Sequence, residues 1–258
     1  MKPTKYPQVN ELISTLSSQM QEILGKKLIG LYLDGSLVMG DFDIDISDID
    51  LTAVLESNID DGEFEALKKM HDELVLDHKE RNDRIEVCYI SLEALNSTRT
   101  KVMPIVNISP GEPFHRIETR KEWLMNWYLV REKSVTIFGP NPKFIIEPIS
   151  KEEFLQNVQE HVKSWEDWIE TMRNRYAQAY AILTICRALY AYKNGDQVSK
   201  KQAALWVQKE LPAWAELIQN ALVWRDAGKK DKNVNDESSY PETLRFVNFV
   251  RDQIINPK

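Results

Sequence analysis

Residues 28–55 read LIGLYLDGSLVMGDFDIDISDIDLTAVL, and the fold of the chain turns on how that stretch divides. Its two ends are apolar: Leu28–Leu33 reads as one strand and residues 49–55 as another. Between them Asp34-Gly35-Ser36 breaks the first strand, and eleven residues separate Ser36 from Asp48. Alternate strand residues share a face, so Asp48 and Asp50 point one way while Ile49, Leu51, Ala53 and Leu55 point the other. Two carboxylates side by side at a strand start repel each other. They are stable together only if protonated, well solvated or bridged by cations. Magnesium, which binds through one or two carboxylates plus substrate phosphate oxygens, suits that arrangement.

Outward from this stretch, Val9, Leu12, Ile13, Leu16, Met20, Ile23 and Leu24 have the spacing of an amphipathic helix over 8–24. A second helix is expected over 62–78. Residues 84–90 (RIEVCYI) alternate strictly and predict a third strand, with Ile85, Val87 and Tyr89 on the apolar face and Glu86, Cys88 and Ile90 on the other. A glutamate in the middle of such a strand is out of place unless its face opens on a polar site. Three carboxylates from two strands could then hold metals and take a proton from an attacking hydroxyl. Taken singly, each has a plainer reading: Asp-x-Asp is common at strand starts, and Glu86 could sit on a solvated face. Asp41, Asp43 and Asp45 crowd the same turn, yet only the Asp48/Asp50 pair runs directly into an apolar strand.

The Pro-containing stretch 96–117 reads as irregular and 118–132 as helical. Residues 139–150 (GPNPKFIIEPIS) hold three prolines and a glycine, which places a boundary there. Beyond it strand signals vanish, and 150–171, 174–193, 199–210, 212–226 and 240–255 all carry helical periodicity, with the polar run 228–239 as a solvated loop. The expected fold is therefore an α/β (α+β) domain with a small mixed sheet over 1–145, followed by an all-α helical bundle over 146–258.

Two cations in the helical half break local rules. Residues 176–192 are apolar nearly all round, yet Arg187 lies among them, on a stripe with Tyr176, Tyr180, Leu183 and Tyr190. A guanidinium there needs an anion, either a structural carboxylate or a ligand. Ser199-Lys200-Lys201-Gln202 has the form of a capping box, which puts two lysines in a first turn where the helix dipole disfavours them. Either they are simply solvated, or they form a phosphate trap.

Gly-Ser, a spacer, then Asp-x-Asp at a strand start resembles the polymerase-beta-type nucleotidyltransferase superfamily, with Glu86 in the place of its third carboxylate. The spacer here is somewhat longer than in close relatives. The resemblance implies that the turn at Gly35 and Ser36 cradles the terminal phosphates, that Asp48, Asp50 and Glu86 serve the metal ions, and that Mg2+ and ATP take part. The stretch 183–212, with EWL at 122–124, is similar to the streptomycin/spectinomycin adenylyltransferase family. That likeness implies that Arg187 and Lys200 hold the ATP phosphates, that Glu86 is the general base, and that Trp123 stands beside the drug. Trp123 can equally be a core residue of its helix.

The expected reaction is transfer of AMP from Mg-ATP to a hydroxyl of a cationic aminocyclitol antibiotic, in a cleft that nucleotide binding draws closed between the two halves. In the resembling family an aspartate that contacts streptomycin would fall at Ala177, so spectinomycin is expected to be preferred. Glu166, Asp167 or Glu170 could supply the missing charge instead. The alternatives are a nucleotidyltransferase acting on a protein or other small acceptor, or a non-catalytic toxin–antitoxin-type member of the fold.

The whole chain fits this reading. It has 258 residues, 43% hydrophobic and 28% charged, and a net charge of −7 that argues against an extended nucleic-acid surface. No apolar run approaches a membrane span and no signal-peptide core follows Met1, so a cytoplasmic monomer without membrane or nucleic-acid partners is expected. Cys88 and Cys186 lie far apart in apolar stretches and read as small core residues. His71, His78, His115 and His161 form no ligand cluster.

Overall fold

Apolar alternation organises the first of two units, residues 1–149, while helical periodicity organises the second, 150–258. A computed structural model describes residues 2–77, 84–227 and 237–256. In chain order the first unit contains α1 (Pro7–Leu24), β1 (Leu28–Leu33), the one-turn α2 (Gly35–Val38), β2 (Ile49–Leu55), α3 (Asp61–Asp77) and β3 (Ile85–Ser91). After these come α4 (Leu92–Ser97), β4 (Met103–Ile108), β5 (His115–Thr119), α5 (Leu124–Lys133) and β6 (Val135–Phe138). The six strands form one sheet in the order β5-β4-β3-β2-β1-β6. Only β2 and β3 run parallel, as two strands joined by a crossover helix must.

Register decides what each face carries. Leu51 of β2 lies opposite Leu33 of β1 and Val87 of β3. These residues, with Ile49, Ala53, Leu55, Ile85 and Tyr89, meet Leu12, Leu16 and Met20 of α1 and Leu67 and Leu74 of α3 in one core. Each fully buried side chain of this kind contributes about 1.5–3 kcal/mol. The opposite face takes the alternate residues. At one end Tyr32, Val54, Cys88 and Ile90 pack beneath Leu124, Trp127 and Val130 of α5 and Ala94 and Leu95 of α4. At the other end the same face carries Asp50 and Glu86, which are register partners.

Part of the expected order is corrected. The stretch 96–117 is not irregular, since it holds β4 and most of β5, which pair with each other from Met103–Thr119 to Asn107–His115. The helix expected over 118–132 begins later: residues 118 and 119 end β5, a 3-10 turn covers Lys121–Trp123, and α5 starts at Leu124. The third strand starts one residue later than expected. β6, four residues at the far edge, was not foreseen.

The second unit is helical throughout its described residues: α6 (Lys151–Lys163), α7 (Trp165–Trp168), α8 (Arg175–Asn194), α9 (Lys200–Glu210), α10 (Ala215–Ala227) and α11 (Tyr240–Ile255). α8 is the central element. Ala181, Ile182, Leu183, Ile185, Cys186 and Leu189 are buried against Val162, Ala203, Val207, Ile218, Ala221, Phe246 and Val250 of the other helices. Asn174 caps its start, accepting a hydrogen bond from the Ala177 N–H, and Gly195 ends it in the left-handed conformation. The loop expected over 228–239 lies mostly outside the described residues.

Candidate active site

The turn after β1 is where the first unit builds its polar end. Gly35 has φ +65°, and a Cβ placed on it would collide with the Asp50 carboxylate. Glycine is thus required here twice, for the backbone angle and for the closeness of the carboxylate. Ser36 follows, and its Oγ is buried with no hydrogen-bond partner, which makes it an orphaned polar atom beside the carboxylate end of the sheet.

The longer spacer is a built turn rather than slack chain. The Asp43 N–H donates to Ser47 Oγ at 3.0 Å, the Ser47 N–H returns a bond to the Asp43 carbonyl at 2.9 Å, and the Asp45 N–H donates to Asp43 Oδ1 at 2.8 Å. Asp43 is therefore a turn-maker, as short acidic side chains are. Arg84, just before β3, donates from Nη1 to the Ile44 carbonyl at 2.6 Å, and the Ile49 N–H donates to the Arg84 carbonyl at 2.7 Å. Phe42 and Ile44 pack onto the sheet core, and the Tyr6 hydroxyl donates to the Phe42 carbonyl. The turn thus delivers Asp48 to the start of β2 from a fixed frame.

Three expected residues of the first unit are brought together: Gly35 against Asp50, and Asp50 beside Glu86. Asp48 stands two residues before Asp50, and Asp48, Asp50 and Glu86 are all half-buried. One residue was missed. Asp34 continues β1 in extended conformation (φ −133°, ψ −154°), its N–H donates to the Asp50 carbonyl at 3.0 Å, and its Oδ2 accepts from Thr52 Oγ1 at 3.0 Å. Burial pushes its carboxyl up to about 6, against the Thr52 hydrogen bond, which lowers it. The buried Cys88 thiol is pushed up chiefly by burial, with added repulsion from Asp34 and Glu86, so it lies within reach of both charges.

Trp123 lies in the 3-10 turn before α5, partly buried against that core and stacked on Trp127 at 5.5 Å between ring centroids. It is thus at least in part a packing residue. Among the described residues no three His, Cys, Asp or Glu side chains converge to hold a metal ion unaided. A pair of hard carboxylate oxygens beside an orphaned hydroxyl nonetheless fits magnesium, which takes its remaining ligands from phosphate and water.

In the second unit the capping box is present: Ser199 Oγ accepts from the Gln202 N–H and the Gln202 side chain accepts from the Ser199 N–H. Lys200 and Lys201 therefore occupy the first turn of α9. The Lys200 ammonium lies 3.9 Å from the centroid of the Tyr180 ring, a cation–π contact across α8 and α9. Tyr180 in turn meets Trp168, and Trp168 meets Trp165. Arg187 is half-buried rather than enclosed, so the nearly all-apolar reading of α8 overstated its burial. Ala177 occupies the first turn of α8, Glu170 is exposed, and the side chains of Glu166 and Asp167 lie outside the described residues.

Comparison with known proteins adds an independent line. Residues 144–253 match the family described as aminoglycoside adenylyltransferase, C-terminal domain. The chain is 24% identical over 277 residues to an aminoglycoside (3'') (9) adenylyltransferase of Klebsiella pneumoniae, covering 94% of this chain and 96% of that protein. It is 27% identical over 128 residues to the protein of the same name from Rhizobium radiobacter, a match that spans 48% of this chain and 45% of the relative. The crystal structure of a spectinomycin adenyltransferase from Enterococcus faecialis with ATP and spectinomycin shares the fold, with a TM-score of 0.73, 17% identity, and coverage of 95% of this chain and 98% of that one.

Proposed function

We propose that this chain, which belongs to the aminoglycoside adenylyltransferase family, is a nucleotidyltransferase that moves AMP from ATP to a hydroxyl of an aminocyclitol antibiotic, with spectinomycin preferred to streptomycin. One juxtaposition carries the reading. Asp50 and Glu86 stand opposite each other on adjacent strands, and the Gly35–Ser36 turn lies against Asp50 with an unsatisfied hydroxyl.

Asp48 and Asp50 would hold magnesium, which neutralises phosphate charge and polarises the alpha phosphorus. Ser36 offers its hydroxyl to a phosphate oxygen. Arg187 and Lys200 supply the positive charge that a triphosphate and departing pyrophosphate require, Lys200 from a helix start that itself favours anions. Glu86 accepts the proton of the attacking hydroxyl as its oxygen bonds to the alpha phosphorus and the bond to pyrophosphate breaks. Trp123 gives an aromatic surface to the acceptor.

Ala177 underlies the preference between drugs. Streptomycin carries two guanidinium groups, and a site without a carboxylate for one of them forgoes a charge-assisted pair worth about 1.5–3 kcal/mol. Pyrophosphate release with magnesium and ATP, measured against spectinomycin, streptomycin and candidate proteins, tests the reading. We expect release with spectinomycin above that with streptomycin. Release with streptomycin alone overturns the preference, and release only with a protein acceptor overturns the substrate class.

A further inference from the structure

We infer that Asp34 is a further member of this site, a carboxylate on its phosphate side that makes ATP binding depend on a divalent cation. The inference rests on the reading of Ser36 and Asp50 given above.

Asp34, Asp50 and Glu86 form a row. Leu33 pairs with Leu51 in the antiparallel β1–β2 ladder, the extended Asp34 follows with its N–H on the Asp50 carbonyl, and Glu86 pairs with Asp50 across the parallel β2–β3 ladder. Three consecutive strands thus each place one carboxylate in line, at the roughly 4.8 Å strand spacing. Thr52, on the same face as Asp50, donates to Asp34 Oδ2, so the three side chains share one face.

The order of the row assigns the role. Glu86 stands at the β3 end, where a proton is to be taken from the acceptor. Asp34 stands at the β1 end, directly before Gly35 and Ser36, where phosphate is to be received. Its carboxylate takes a hydrogen bond from Thr52, and no ion pair reaches it among the described residues. An ATP molecule arriving without a cation would meet this negative charge in addition to those of Asp48 and Asp50. At an intermediate dielectric, a single like charge close to a bound phosphate is enough to change affinity by about tenfold or more. A divalent ion carried on the phosphates cancels the repulsion, so the site distinguishes metal-bound from free nucleotide. Asp34 does this as a positioning residue that sets the local charge, while Thr52 keeps its carboxylate aligned.

The test is ATP affinity by titration calorimetry, with chelator and with magnesium, beside melting curves of every variant. For Asp34→Asn we expect metal-free ATP to bind about tenfold more tightly and the ratio between the two conditions to shrink accordingly. Asp34→Glu, which keeps the charge, should restore most of the ratio. A merely structural role would move the melting temperature and leave the ratio in place, and that result overturns the inference alone. If the unaltered chain binds ATP in neither condition, the nucleotide-site reading beneath it falls as well. Asp34→Ser, also neutral, carries the comparison if the asparagine variant does not fold.

Discussion

One face of the first unit's sheet has two ends of opposite character. At one, Tyr32, Val54, Cys88 and Ile90 lie under Trp127 and Leu124. At the other, two to four residues away along the same strands, Asp34, Asp50 and Glu86 stand in line. The β1–β2 and β2–β3 ladders run on from one end to the other, so the difference lies in the side chains that each end carries. The apolar end holds the strands in register, and the reverse face does the same against α1 and α3. A row of like charges can then be held where it destabilises the fold. Stability and chemistry are separable along a strand, residue by residue.

The sharpest way to break the comparison is Asp50→Asn. It should lower transfer by roughly a hundred- to a thousandfold or more, with the melting temperature unchanged or raised, as read by pyrophosphate release and calorimetry. A fall in stability matching the fall in activity would mean that Asp50 belongs to the packing. Trp127→Ala, at the other end, should do the reverse. The buried ring and its indole hydrogen bond to Thr98 go together, at a cost of about 3–5 kcal/mol in denaturant unfolding, with turnover per folded molecule little altered.

Glu86→Gln keeps shape and hydrogen bonding but removes the base. Turnover should fall by roughly a hundredfold with ATP affinity nearly unchanged. Loss of ATP binding instead would move Glu86 from proton acceptor to metal ligand.

The smallest effect is read from melting temperature against pH without metal. Asp34 holds its proton up to about 6 in the folded chain, above the ordinary carboxylate value of 3.8. Its penalty is therefore absent below that ordinary value, grows as pH rises towards 6, and is complete above it. His71, buried in α3 and hydrogen-bonded to the Tyr89 hydroxyl, runs the other way. Burial lowers its pKa from 6.5 to about 4, so its penalty is absent above 6.5 and grows as pH falls towards 4. In the unaltered chain the two slopes oppose each other between 4 and 6. Asp34→Asn should raise the melting temperature above pH 6, give no gain below 4, and expose a steeper loss on acidification. Each effect is at most about 3 kcal/mol. An equal gain at every pH would rule out the ionised carboxylate as its source.

The strands that carry these residues were legible because their alternation is clean: β1 and β2 fall where the apolar pattern places them, and β3 starts one residue later. β4 and β5 were not, because MPIVNI contains a proline and a buried asparagine, and HRIET is polar on both faces. β5 is moreover an edge strand, where the alternating pattern that makes a strand readable is relaxed. β6 has four partly exposed residues and little signal to give. In the second unit the capping box at Ser199 was visible in the chain itself, since it is local chemistry. Asp34 was passed over for the opposite reason. An aspartate before glycine is ordinary turn chemistry, and only pairing across to Asp50 distinguishes it.

Those same edge strands govern how copies of the chain meet one another during synthesis. An open sheet offers its outer strands as templates for further pairing, and long flat apolar edges seed aggregation. Here one border is β5, whose His115, Arg116 and Glu118 place charge or polarity along it, and the other is β6, too short to align an incoming strand. Arg116 is further engaged by Asp61 and the Phe64 ring. The sheet therefore ends in two borders that disfavour pairing with the strands of neighbouring molecules.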